Sequence, residues 1–297
     1  MVETGCGRPE PNPSATAFTD DLGRTVHVEQ PVQRVLTLAP NLTEVVFAAG
    51  AGDKIPAVST ADDWPQAIDS LPRYRTFPMD FEAIAAFDPD VLLATDQINA
   101  PRDADTFTDL GIPTFFFSFE NLADVARSIR DAGELLGTEA RANAAADSLE
   151  AAFTTLQNRT SGVAEKPLVL LLNGDRTLYA FGQGSYTHDL IKLAGGTSAT
   201  ADLATPAPVL SEEFVLTAKP DVIIGAFGEG YGAADLLALH PTWDVVPAVR
   251  DGRVYSLHGD FFQRPGPRLV EGARRMALML HPELFEQTSR AASASAL

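Results

Sequence analysis

A single cysteine, Cys6, in a chain of 297 residues excludes an intrachain disulfide and any multi-cysteine metal site. Lysine is nearly as scarce, standing only at Lys54, Lys166, Lys192 and Lys219. With 22 basic against 40 acidic residues the formal charge is −18, the wrong sign for a surface that neutralises nucleic-acid phosphates. No apolar run reaches the roughly 18 residues of a membrane-spanning helix, and no secretory leader pattern precedes the expected fold. His27, His188, His240, His258 and His281 are scattered without ligand spacing, so no dedicated zinc site is expected. Catalytic templates are missing as well. Gly50-Ala-Gly52 supplies two glycines of a dinucleotide fingerprint, but it follows a helical pattern and lacks the third. Gly182-Gln-Gly184-Ser185 is no nucleophile elbow, and neither a phosphate loop nor a His-Glu-x-x-His is found.

What is there is enough apolar material, 45% of residues, for two ordinary domains with their own cores. Residues 82–94 and 213–225 echo one another. Each places a glutamate, Glu82 or Glu213, in the first turn of a short helical pattern, seven residues before Pro89-Asp90 or Pro220-Asp221, and each continues into an apolar run. An acid in the first turn complements the helix dipole, proline stops the helix, and a run of four or five apolar residues suits a buried strand. Val35 to Leu38 and Leu168 to Leu172 also match, as strand-like runs before helical patterns that end at Ala49-Gly50 and Ala194-Gly195-Gly196, glycine being the usual left-handed stop. The alternation predicts an α/β fold with mostly parallel sheets. The offset from Glu82 to Glu213 is a domain's length, so duplication of a whole domain is the economical reading.

Between the copies, Asn121 to Arg159 is almost continuously helical in pattern, interrupted at Gly137-Thr138, with Thr138 a suitable N-cap. From Glu139 to Leu156 the apolar positions recur every three or four residues. The expected layout is a tether over 1–17 rich in proline, an N-terminal lobe over 18–137, one connecting helix over 138–160, a C-terminal lobe over 161–285 and a tail over 286–297. The order Thr4-Gly5-Cys6 resembles the end of a bacterial lipoprotein signal, which makes Cys6 a candidate lipidation site beside the alternative of an inert thiol.

These segments, with Phe18 to Val26, Pro31 to Val35, Pro40 to Glu44, Ala49 to Asp53 and Arg264 to Arg268 in order, resemble the ABC-importer binding proteins that serve cobalamin, ferric siderophores and haem. That resemblance implies two Rossmann-like lobes joined by a single long backbone helix, an extracytoplasmic monomer with no catalytic role, and a permease dimer as partner. It implies that Glu82 and Glu213 dock on the permease, the other reading being helix N-terminal acids alone. The ligand is expected between the lobes, a small-molecule metal chelate carrying its own cobalt or iron, so that no cofactor of the protein is implied. Similarity is greatest to cobalamin-binding members and points to Trp64, Phe77, Tyr179, Phe261, Phe262 and Arg264 as ligand-binding residues. Flat aromatic faces suit a macrocycle and arginine suits a carboxylate or phosphate; core packing is the other reading for each aromatic. Thr95 and Ala207 stand where cobalamin binders often have tryptophan, so a ferric siderophore or haem stays open, with Tyr179 and His188 as candidate axial ligands. A two-domain α/β enzyme such as a glycosyltransferase is the alternative from another class.

Overall fold

The structure, a computed structural model, describes residues 15–285; Cys6 and the tail over 286–297 lie outside the described residues. The described residues open on an antiparallel hairpin, β1 (Ala15–Thr19) and β2 (Thr25–Glu29), and β1 includes three residues before Phe18. Asp20 closes the turn: its carboxylate accepts from the backbone N–H of Leu22 and Arg24 and pairs with the Arg24 guanidinium at 2.6 Å. There follow β3 (Val35–Thr37), α1 (Pro40–Ala48), β4 (Val58–Ser59), β5 (Arg73–Tyr74), α2 (Phe81–Ala85), β6 (Val91–Thr95), α3 (Pro101–Asp109) and β7 (Thr114–Phe117). Two longer helices come next, α4 (Ala123–Leu136) and α5 (Glu139–Thr160). The second half holds β8 (Leu168–Leu172), α6 (Tyr186–Leu193), β9 (Thr197–Ser198), α7 (Glu212–Ala218), β10 (Val222–Gly225), α8 (Ala233–Leu239), α9 (Pro247–Arg250), β11 (Val254–Ser256) and α10 (Leu269–Leu280).

The chain divides into two compact units, one running to Ser118 and adding Arg127–Ala146, the other formed by Phe119–Ala126 and the chain from Asp147 on. In the first, β3, β6 and β7 form a parallel sheet with β6 central, and β4 pairs with β5, also parallel. Leu36, Leu92, Phe107 and Phe116 lie in its core. In the second, β11, β10, β8 and β9 form a parallel sheet in that order, over a core that includes Leu170, Ile223 and Trp243. Strands buried on both faces need continuous apolar runs, and β6 and β10 are buried at every position.

The repeated segments fold alike to the level of single hydrogen bonds. Helix α2 is capped by Asp80, whose side chain accepts from Ala83 N–H, and α7 by Ser211, which accepts from Phe214 N–H; Glu82 and Glu213 are each the second residue. Asp88 and Lys219, six residues later, are the non-glycine residues among those described with positive φ, both at 49°. A residue before proline is barred from the right-handed helical region, and here the chain leaves the helix through the left-handed one. The next acid then staples the neighbouring strand. Asp90 accepts from Gln33 and Arg34 N–H at 2.7 and 2.8 Å, and Asp221 from Leu168 N–H at 2.8 Å.

Helix α5 is unbroken for 22 residues, and the boundary between units falls inside it, after Ala146. Gly137 at φ +69° separates it from α4. Thr138 precedes the first turn, but its hydroxyl is buried without a hydrogen-bond partner, so the cap is made by backbone alone: Thr138 O accepts from Arg141 and Ala142 N–H. A methyl at Gly133 would lie 2.2 Å from the Ala142 Cβ, which is why α4 and α5 can approach so closely there.

Candidate ligand-binding site

In parallel sheets the loops leaving the carboxyl ends of the strands share one edge, and ligands of open α/β folds bind there. In the first unit such loops display Trp64 after β4 and Phe77 after β5, from the two-stranded sheet, and Ile98 after β6, from the three-stranded one. Their exposures of 49, 95 and 66% are large for side chains whose burial is worth 1.5–3 kcal/mol or so each. The loops beneath them are braced. Asn99 Oδ1 accepts from Thr95 N–H at 3.0 Å while its amide donates to Leu38 O at 3.3 Å, tying the ends of β3 and β6 together. Tyr74 ties β5 to β3, its hydroxyl donating to Thr37 O at 2.7 Å and accepting from Thr37 N–H at 3.1 Å. Burial, followed by the nearby Asp62 charge, pushes the Tyr74 hydroxyl well above the ordinary tyrosine range, so it stays a neutral strut. Asp62 Oδ2 accepts from Ser59 N–H at 2.7 Å and fixes the start of the loop that carries Trp64.

In the second unit Tyr179 is 49% exposed on a short stretch after β8 that bridges to Val209, itself exposed, and its carbonyl accepts from Asn173 N–H at 2.8 Å. The segment after β11 carries the charged groups. Asp260, largely buried, pairs with Arg264 Nε at 3.1 Å and Arg268 Nη1 at 3.3 Å and lies 3.5 Å from His258 Nδ1. Two guanidinium groups thus share one carboxylate in a chain that is acidic overall. The Gln263 amide donates to Asn173 Oδ1, joining this segment to the loop after β8. Gly272 of α10 permits the close approach, since a Cβ there would stand 1.9 Å from Phe261 O.

Three expectations change. Phe262 is fully buried, packed edge-on against Phe181, with its carbonyl accepting from Tyr186 OH at 2.9 Å; it is a core residue and not a ligand contact. Phe261 is partly buried with the Arg275 guanidinium 4.2 Å above its ring, so one aromatic face is already occupied. His188 has both ring nitrogens engaged, Nδ1 with Ser198 Oγ at 2.9 Å and Nε2 donating to Gly182 O at 2.6 Å, which removes it as an axial ligand. Glu82 and Glu213 are exposed on the first turns of α2 and α7. Sequence reasoning passed over Ile98, Val209 and the Asp260–Arg268 pair. An apolar residue between Gln97 and Asn99 just past a strand was the available signal for the first. Among the described residues no group of three His, Cys, Asp or Glu side chains could hold a metal, and no helix is long and apolar enough to cross a membrane.

The sequence pattern of the periplasmic binding proteins matches residues 35–261. The chain belongs to the periplasmic binding protein family. It is 24% identical over 97% of its length, and 95% of the relative's, to an ABC transporter substrate-binding lipoprotein of Bacillus subtilis, YvrC. Among solved structures it is similar to the periplasmic vitamin B12 binding protein BtuF of Vibrio cholerae, with a TM-score of 0.74 and 25% identity over 86% of this chain and 99% of that one. The fold is shared equally with a periplasmic heme-binding protein, RhuT of Roseiflexus, at TM-score 0.74 and 24% identity over 85% of this chain and 99% of that one. These proteins bind solutes for transport and are not enzymes.

Proposed function

We propose that this chain is the extracytoplasmic solute-binding protein of an ABC importer and that its ligand is a cobalamin-type corrinoid. The observation that carries the reading is the pair Trp64 and Phe77, large flat side chains held out from the carboxyl edge of the first unit on braced loops. Exposed apolar groups on rigid supports are characteristic of binding surfaces. Within the second unit Tyr179 presents an exposed aromatic ring and the Arg264 Nε is oriented by Asp260. Glu82 and Glu213, at equivalent helix positions in the two units, supply the carboxylates by which a duplicated receptor engages a two-fold permease.

A second reading, haem or a ferric siderophore as cargo, is favoured by one observation: Tyr179 is exposed on the stretch after β8, and phenol oxygen is a good donor to ferric iron. Titration of the purified protein with cyanocobalamin, hemin and ferric hydroxamates, followed by tryptophan fluorescence, separates the readings. One-to-one saturation by cyanocobalamin with unconverted ligand is expected. Saturation by hemin alone would transfer the assignment to the second reading, and turnover of any of them would refute a pure receptor.

A further inference from the structure

The first turn of α7 packs on the core of its unit through Phe214 and Val215, and a buried side chain from beyond α8 also reaches it. His240 stands just past α8, where its backbone N–H still donates to Leu236 O at 2.9 Å before Pro241 stops the helix. Its ring is almost wholly buried and stacks on Trp243, centroids 4.2 Å apart and planes 14° from parallel. Nε2 lies 2.7 Å from the carbonyl of Asp175, in the loop that leaves β8. A carbonyl only accepts, so Nε2 carries hydrogen. Nδ1 lies 3.1 Å from Glu212 Oε1, hydrogen-bond distance for a proton shared between the two atoms. Glu212 is the first residue of α7 and directly precedes Glu213.

We propose that His240 is a positioning residue, joining the turn that displays Glu213 to the loop that leaves the ligand edge of β8. The proposal rests on the docking role of Glu213 set out above. The first unit supports it independently: the residue before Glu82 is Phe81, anchored on Phe107 with ring centroids 5.0 Å apart. In each unit the exposed glutamate follows an anchored neighbour, by aromatic packing in one and by the His240–Glu212 contact in the other. A carboxylate on a fixed turn loses less freedom when it meets its partner.

The two contacts can be separated because the asparagine amide occupies the place of Nδ1 and the glutamine amide that of Nε2. His240→Asn retains a donor for Glu212, whereas His240→Gln retains only the one for Asp175. Backbone hydrogen exchange is read at the first turn of α7, and affinity for the permease is read in lipid nanodiscs without ligand. His240→Gln is expected to speed exchange there and weaken permease binding, each by about tenfold, the worth of one hydrogen bond to a charged group, with His240→Asn close to the parent. Glu212→Ala, an exposed change that leaves the ring in place, is expected to reproduce His240→Gln. Equal behaviour of the Asn and Gln variants, or parental exchange in Glu212→Ala, overturns the proposal. Glu213→Arg serves as the reference: if it leaves permease binding intact, the docking reading falls, while the exchange data still decide the latch.

Discussion

Two phenylalanines show how little residue type says about role. Phe77 is 95% exposed and Phe262 is 0% exposed, yet both sit in loops beside sheet edges. Truncation to alanine is therefore expected to act oppositely. Phe262→Ala should cost about 3–5 kcal/mol of stability by opening a cavity, seen in urea melts. Phe77→Ala should leave the melt almost unchanged and weaken ligand binding by about tenfold or more in the fluorescence titration. Tyr74 and Tyr186 carry a second residue-scale consequence. Burial raises both hydroxyls far above the ordinary range, so the folded protein holds these protons after the unfolded chain has released them. The stability they contribute is intact below about pH 10, the unfolded tyrosine value, and falls as pH rises beyond it. Urea midpoints at pH 8 and pH 11 should differ less in Tyr74→Phe and Tyr186→Phe than in the parent.

At the scale of elements, the contact between α4 and α5 turns on Gly133. With the Ala142 Cβ 2.2 Å from where a methyl would stand, Gly133→Ala must push two helix backbones apart. A loss of about 1–3 kcal/mol is expected, read as a lower denaturation midpoint. Ala142→Gly in the same chain should recover much of it despite the helix penalty of glycine, about 1 kcal/mol. Absence of recovery would show that the strain lies elsewhere. Much at this scale was legible beforehand. The Glu to Pro-Asp echo located α2 with β6 and α7 with β10, because dipole, proline and a short apolar run act through neighbouring residues alone. Thr138 was legible only in part: its type suits an N-cap, but burial orients its hydroxyl away from any donor.

For the molecule as a whole, the expected function and the repeat meet at Glu82 and Glu213. Reversal of both, Glu82→Arg with Glu213→Arg, is expected to abolish uptake in cells while the purified protein keeps its ligand affinity; unchanged uptake would return both residues to a helix-dipole role worth tenths of a kcal/mol. Local sequence determined the α/β alternation, the parallel sheets, the echo of the Glu to Pro-Asp segments and the positions of the two acids, since periodicity, turn chemistry and helix termini are short-range. Tertiary structure alone decided which aromatics are displayed and which are core, that Asp260 gathers Arg264 and Arg268, that His188 is already committed, and that His240 reaches Glu212 from 28 residues away. Those outcomes depend on burial and on hydrogen-bond partners brought together from distant segments, and neither is written in the neighbourhood of any one residue.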